Sequence, residues 1–148
     1  MTIITKIKTA TELEQFASLE ATVDFLHQHL GKFRDEKTAI AKAIEYIFSD
    51  PTGNKGFLML ATQESQIVGC LVMNGTGMDE YIPANILVYI AVHEDMRGKG
   101  IGKQIIEASQ KEVNGSIALH VEYDNPAQNL YKRLGFSSKY AEMRWARN

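Results

Sequence analysis

The chain predicts an α/β fold: one mixed central sheet flanked by helices on both faces, in a single domain spanning residues 1–148. Three observations lead there. Strand-like and helix-like segments follow one another in the order β-α-α-β-β-β-α-β-α-β. Two of the middle strand candidates, 67–73 and 86–92, are almost continuously apolar, which suits strands covered on both faces. Apolar residues make up 45% of the 148 and charged residues 23%, an ordinary globular balance. A chain of this length buries roughly 68–70% of its unfolded surface and needs no metal or disulfide staple.

Each element has its own signal. Residues 2–9 alternate Thr and Ile with Lys and predict an edge strand. Thr11 and Glu14 have the spacing of a capping box, and Leu13, Phe16, Leu19, Val23, Leu26 and Leu30 then lay one apolar stripe along a helix that Gly31 stops. A second helix carries Ile40, Ile44, Ile47 and Phe48 on one face, and Pro51-Thr52-Gly53-Asn54 turns the chain. Strands follow at 56–61, 67–74 and 85–92, with a polar, flexible loop at 75–80 before the last of them. The third helix starts near Gly100, points Ile101, Ile105, Ala108 and Val113 inward, and ends at Asn114-Gly115. A strand at 116–122 leads to Asn125-Pro126, where Asn as N-cap and Pro at the first helical position open a helix that Gly135 closes. Residues 138–146 predict one more strand, with Tyr140 and Trp145 packed on it.

Composition removes several function classes. A net charge of −2 gives no overall cationic field for nucleic acid or an anionic membrane. The one cysteine, Cys70, forms no intrachain disulfide and reads as a small core residue; with four scattered histidines it offers no metal spacing. The longest apolar runs hold seven residues, against about 20 for a spanning helix. Residues 1–8 lack the charged leader and apolar block of a secretory signal, so the expected address is the cytoplasm.

The chemistry concentrates between residues 90 and 103. A buried strand runs through Ile90, Ala91 and Val92 into a basic, glycine-rich turn that opens directly into a helix. Free N–H groups at a helix start, with the positive end of its dipole, bind anions, and Arg97, Lys99 and Lys103 add charge. A phosphate or pyrophosphate is the natural ligand. A P-loop would need Gly at 97 and Ser or Thr at 104, where the chain has Arg97 and Gln104; the dinucleotide pattern GxGxxG fails in either register. The spacing that fits is Arg-x-x-Gly-x-Gly, at Arg97, Gly100 and Gly102.

This pattern resembles the signature of the GNAT superfamily of acyl-CoA-dependent N-acetyltransferases, Arg/Gln-x-x-Gly-x-Gly/Ala after the fourth strand. A second block strengthens the resemblance: Asn125-Pro126-Ala127-Gln128-Asn129-Leu130-Tyr131-Lys132-Arg133-Leu134-Gly135-Phe136 is similar to the family's Asn…Ala-x-x-Leu-Tyr-x-x-x-Gly-Phe. The blocks stand in the family's order, with a helix and a strand between them, and the element order matches along nearly the whole chain. The resemblance implies an acyl-CoA N-acyltransferase-like fold with acetyl-CoA as cosubstrate and no metal. It implies that the backbone of Ile90, Ala91 and Val92 meets the pantetheine arm. Arg97, Gly98, Lys99, Gly100, Ile101, Gly102 and Lys103 would hold the pyrophosphate, Asn125 would touch the CoA arm, and Tyr131 would protonate the departing thiolate.

Relatives often carry a Glu or His base on the fourth strand, but the corresponding inward positions here read as Ile86, Val88 and Ile90, all apolar. His120 on the fifth strand is the alternative, with the pKa suited to taking a proton near pH 7. Glu122 lies two residues on and shares its face. Glu80 or a water chain would be further routes. The expected activity is acetyl transfer from acetyl-CoA to a primary amine, a small amine or a peptide amine, by direct attack and without a covalent enzyme intermediate. The alternative is a CoA-binding sensor or partner module with the same fold and no catalysis. Asp50, Asp79 and Glu80 suggest a cationic acceptor. Neither nucleic acid nor membrane is expected as a partner, and the chain is expected as a monomer or homodimer.

Overall fold

The computed structural model describes residues 1–50 and 52–147; Pro51, which opens the expected turn at 51–54, lies outside them. The first strand, β1 (Ile3–Ile7), leads into α1 (Ala10–Glu14), α2 (Leu19–His29) and, after a 3-10 turn at Gly31–Phe33, α3 (Lys37–Phe48). Then come β2 (Gly56–Gln63), β3 (Gln66–Gly75) and β4 (Asn85–Val92), a 3-10 turn at Glu94–Met96, α4 (Ile101–Glu112), β5 (Ile117–Ala118) and α5 (Ala127–Arg133). The strands form one sheet in the order β1-β2-β3-β4-β5, antiparallel except for the parallel β4–β5 pair.

The N-terminal stripe folds as two helices rather than one. The capping box sits two residues earlier than its sequence spacing predicts: the Thr9 hydroxyl accepts from the Glu12 N–H at 3.1 Å and Glu12 Oε1 accepts from the Thr9 N–H at 3.1 Å. Ser18 then caps a new helix, its Oγ accepting from the Ala21 N–H at 3.0 Å. Thr9 and Ser18 both offer oxygens that satisfy otherwise orphaned N–H groups, so the chain turns between them and Phe16 leaves the stripe. Gly31, at φ +62°, ends α2 as expected.

Two apolar layers sit on opposite faces of the sheet. Leu13, Val23, Leu26, Ile40, Ile44 and Ile47 of α1–α3 pack on Leu58, Leu60, Cys70 and Val72. On the other face Ile101, Ile105 and Ile106 of α4, with Tyr131 of α5, pack on Met59, Leu71, Met73 and Leu87. Gly69 lets α4 lie close to β3, because a Cβ there would stand 2.6 Å from Ile105 Cδ1.

Two features of the sheet shape the site. Val72 pairs with Tyr89 but Met73 pairs with Leu87, so Val88 is an unpaired bulge residue in β4. The bulge reverses the alternation beyond it: Val88 and Tyr89 both pack toward α2 and α3, while Leu87, Ile90 and Val92 face α4 and α5. The expected common face of Ile86, Val88 and Ile90 is therefore incorrect, since period-two reasoning holds only without a bulge. β5 is also shorter than the expected 116–122: it pairs with β4 only at Asn85–Ile117 and Ile86–Ala118, and the two chains part beyond that. The last expected strand, 138–146, is absent; those residues are exposed and carry no strand pairing, so Tyr140 and Trp145 do not pack as expected.

Candidate active site

The parting of β4 from β5 leaves backbone groups of β4 without a strand partner. The His93 N–H donates to Val68 O at 2.8 Å, toward β3. Alternation back along β4 turns Ala91 and Tyr89 the same way, and turns the N–H and C=O of Val92 and Ile90 outward into the gap. Before the bulge the outward residue is Asn85, whose N–H reaches Ser116 O at 3.1 Å.

The end of β4 feeds the glycine turn. Gly98 and Gly100 have φ of +77° and +81°, the left-handed region that favours glycine, and a Cβ on either would meet nothing within 4 Å. Gly100 is the N-cap of α4, and no side chain caps that helix. The first intrahelical bond runs from the Gln104 N–H to Gly100 O at 3.1 Å, so the N–H groups of Ile101, Gly102 and Lys103 remain for another acceptor. Lys99 and Lys103 are exposed beside them. Gly102 lies against α5 and β4: a Cβ would be 3.4 Å from Leu130 Cδ2 and 3.7 Å from Val92 Cγ2.

Arg97 turns its side chain back onto the protein. Its Nε donates to Val92 O at 3.2 Å and its Nη2 to His29 O at 2.5 Å. The guanidinium ties the end of α2 to the end of β4. Beneath it His29 is buried, its ring centroid 4.2 Å from that of His93 and 4.6 Å from Phe25. Both imidazoles accept from the backbone that follows β4: Nδ1 of His29 from the Glu94 N–H at 3.3 Å, and Nδ1 of His93 from the Asp95 N–H at 3.1 Å.

On the β5 side, Asn125 organises the entry to α5. Its Oδ1 accepts from the Ala127 N–H at 2.9 Å and its Nδ2 donates to Glu122 Oε1 at 3.1 Å. The carboxamide expected to touch a CoA arm is thus engaged in an Asx turn, and the N-cap of α5 falls on Pro126 rather than on the expected Asn125, because the chain enters the helix one residue later. Gln128 Nε2 fixes the same turn by donating to the carbonyls of Glu122 and Tyr123, at 3.0 and 2.8 Å. Tyr131, one turn further, is buried with its ring centroid 5.8 Å from that of Phe136. Burial, and secondarily the charge of Glu122, pushes its phenol up to about 12. His120 lies beyond β5, exposed, so it does not share a strand face with Glu122.

A polar pair that the sequence did not reveal faces the other side of β4. The Tyr89 hydroxyl donates to Asp35 Oδ2 at 2.5 Å. Burial, with the Asp35 hydrogen bond and charge, raises the Tyr89 phenol well above its ordinary range. Asp35 stands on the turn between α2 and α3 and lines an open groove of about 320 Å³ with Lys32, Phe33, Arg34, Glu122 and Asp124. Lys32 Nζ crosses to Asp124 Oδ2 at 3.1 Å. Asp50, Asp79 and Glu80 do not line this groove. The start of β4 is tied to the turn before β5, where Asn85 Nδ2 donates to Asn114 O at 2.7 Å, and Asp79 of the loop after β3 stands by the same turn, its Oδ1 3.3 Å from where a Gly115 Cβ would stand.

The profile of the acetyltransferase (GNAT) domain matches residues 54–138, more than half of the chain. This chain belongs to the GNAT acetyltransferase family. Its curated relatives include the peptidyl-lysine N-acetyltransferase YjaB of Salmonella typhimurium, 26% identical over 119 residues that span 80% of this chain and 69% of that protein. Among solved structures, the aminoglycoside N-acetyltransferase AAC(6')-Iy in complex with CoA superposes with a TM-score of 0.71 at 19% identity, covering 99% of this chain and 95% of that one. A ribosomal-protein-alanine N-acetyltransferase from Brucella melitensis biovar Abortus gives 0.66 at 15% identity, covering 99% of both chains. At these identities the likeness to the solved structures is one of fold, and it extends to the mixed sheet with helices on both faces.

Proposed function

We propose that this GNAT domain, one unit over residues 1–148, transfers the acetyl group of acetyl-CoA to a primary amine by direct attack. The observation that carries the reading is the succession of two sets of backbone N–H donors without a partner in the sheet or helix: those of Ile90 and Val92, turned outward in the gap beside β5 where Arg97 already takes the Val92 carbonyl, and those of Ile101, Gly102 and Lys103 at the start of α4. The first set suits an extended amide-bearing arm, which adds to a strand edge by main-chain hydrogen bonds. The second suits a pyrophosphate, with Gly98 and Gly100 keeping the approach open and Lys99 and Lys103 adding charge. Arg97 contributes by fixing Val92 rather than by meeting phosphate, and Asn125 by shaping the turn that holds Glu122.

In the reaction the amine nitrogen bonds to the thioester carbonyl carbon, the carbon–sulfur bond breaks, and the thiolate leaves. Holding both reactants in line supplies much of the acceleration, up to ~7–11 kcal/mol for well-oriented partners. The outward N–H of Val92 is the donor suited to the carbonyl oxygen as charge develops on it. Tyr131, kept neutral by burial and by Glu122, is the acid that protonates the sulfur. The amine's surplus proton leaves through Glu122, His120 or water.

The test pairs binding with turnover. Gly102→Ala adds a Cβ that finds ordinary contact with Leu130, whereas Gly102→Val adds two further methyl groups where a phosphate must approach. Calorimetry with acetyl-CoA should give near-native affinity for the alanine variant and a loss of more than about tenfold for valine, since each charge-assisted hydrogen bond is worth ~1.5–3 kcal/mol. Equal affinity in the valine variant would remove the loop from the site. Thiol release by the wild-type protein over a panel of amines then separates catalysis from mere CoA binding.

A further inference from the structure

Resting on that reading, we infer that Asp35 is the residue that receives the ammonium group of the acceptor, that Tyr89 positions it, and that the acceptor is a primary amine with a single positive charge on an otherwise neutral or apolar body. The argument starts from the groove's walls. Lys32 to Asp35 form one side, on the turn between α2 and α3, and Glu122 and Asp124 form the other, on the turn before α5. Lys32 and Asp124 pair across it at 3.1 Å and neutralise each other. Glu122 accepts from Asn125 and lies close enough to Tyr131 for its charge to act on the phenol. This wall of the groove therefore belongs to the turn that leads into α5, the helix that carries Tyr131.

Each of the three carboxylates in this groove keeps one oxygen without a hydrogen bond among the described residues, but Asp124 is neutralised by Lys32 and Glu122 is held on its own turn by Asn125, so Asp35 is the one fixed by the strand that carries Ile90 and Val92. Its Oδ2 takes the Tyr89 hydroxyl, and its Oδ1 takes no hydrogen bond among the described residues. Tyr89 is a rigid holder, because its ring packs in the α2–α3 layer and its backbone belongs to β4 just past the bulge, one residue from Ile90. The bulge at Val88 thus does two things at once. It turns the Ile90 and Val92 backbone into the gap, and it sends the Tyr89 side chain through to the opposite face to grip Asp35.

Charge selects among amines. With Lys32 and Asp124 cancelling, Arg34, Asp35 and Glu122 leave the groove one negative charge in excess. One ammonium balances it, whereas a second or third would meet Arg34. Phe33, its ring 4.9 Å from Lys32 Nζ, adds an apolar wall for the acceptor's body.

The experiment is steady-state thiol release with three probes: Nα-acetyl-lysine amide and phenethylamine, each with one charge, and hydroxylamine, neutral near pH 7. Asp35→Asn should raise KM for the charged amines about tenfold, the scale of one charge-assisted hydrogen bond. It should leave kcat within about threefold and the hydroxylamine kinetics unchanged; Asp35→Glu should recover part of the loss. Tyr89→Phe, which frees the carboxylate without removing it, should raise KM by a smaller factor, and acetyl-CoA affinity and Tm should hold in all three variants. Unchanged KM in Asp35→Asn, or an equal loss on hydroxylamine, would overturn the assignment while leaving acetyl transfer standing. A wild-type KM in Tyr89→Phe would remove Tyr89's positioning role. A faster reaction with spermidine than with either single-charge amine would overturn the charge count. Should the wild-type protein release thiol with none of the probes, acetyl transfer itself fails and the assignment falls with it.

Discussion

Tyr131 and Tyr89 face opposite sides of the sheet; Tyr131 is set chiefly by burial, Tyr89 by a carboxylate brought from elsewhere in the chain. Tyr131 was legible in the sequence because it sits in a block with fixed local spacing, Leu130-Tyr131 and then Gly135-Phe136. Tyr89 was not, because its partner Asp35 is 54 residues away and only the bulge at Val88 turns the two together. Nothing in an apolar run announces which residue is the extra one. Glu122 was legible as a candidate, but not its setting: it stands on the turn that Asn125 and Gln128 hold, not on a strand face shared with His120. The consequence for Tyr131 can be measured. Tyr131→Phe keeps the ring against Phe136 and removes one proton, so kcat should fall about 10²-fold, the lower end for general-acid catalysis, with acetyl-CoA affinity and Tm nearly unchanged. With the phenol pushed up to about 12, Tyr131 stays protonated well past its ordinary value near 10 and should impose no alkaline decline on the wild-type kcat below about pH 10. A kcat within a few-fold of wild type would make Tyr131 a packing residue, and the thiolate would take its proton from water.

At the scale of elements, helix ends and apolar runs were readable wherever the signal is local. The bounds of β4, the glycine that ends α2 and the glycine that ends α5 follow directly from sequence. What failed was competition between equivalent signals. Thr9 and Thr11 both stand three residues before a glutamate, and the structure uses the first because its box closes before Leu13 enters the core. The link between α2 and the β4–α4 turn was also invisible, since His29 and His93 read as scattered histidines until the fold stacks them. That link carries a pH dependence. Burial first, then the charges of His93 and Arg97, hold the His29 pKa below 6.5, while Glu94 and Asp95 oppose the shift. A group whose folded pKa is depressed contributes stability above its unfolded pKa, and that stability is lost as pH falls through the folded value. The His29 contribution is therefore present at pH 7.5 and declines on the acid side of about 6.5, as protonation removes the acceptor for the Glu94 N–H. Tm measured at pH 7.5 and 5.5 should fall more for the wild-type protein than for His29→Gln, which cannot titrate. An equal fall in both would assign the acid loss to other groups.

For the whole molecule, two apolar layers pin β1 to β4 between helices, while the far edge is held by only two residues of β5. The asymmetry is what opens the gap beside β4, and it was not legible, because residues 116–122 carry a strand pattern that a parting neighbour leaves unpaired. The same open edge bears on the C-terminal segment. Residues 138–146 alternate well enough to predict a strand, but alternation creates a strand only where an edge accepts it, and here Tyr140, Met143 and Trp145 are 81%, 93% and 76% exposed. Their contacts are local: Lys139 Nζ stands 5.4 Å from the Tyr140 ring, Arg144 pairs with Glu142, and Arg147 lies 4.9 Å from the Trp145 ring. Trp145 is the only tryptophan in the chain, so its fluorescence reports this segment alone. In the native protein it should emit at the wavelength of free tryptophan and be quenched by acrylamide almost as fast, and guanidinium unfolding followed by circular dichroism should shift that emission little. Deleting residues 138–148 should likewise leave Tm nearly unchanged, because tolerance to truncation follows from burial and hydrogen bonding rather than from position in the chain. A blue-shifted, protected emission that appears only at high protein concentration would place the segment on the sheet edge of a second copy. The same emission at all concentrations would place it on the chain's own β5, and in either case the gap beside β4 would be narrower than its two-residue pairing implies.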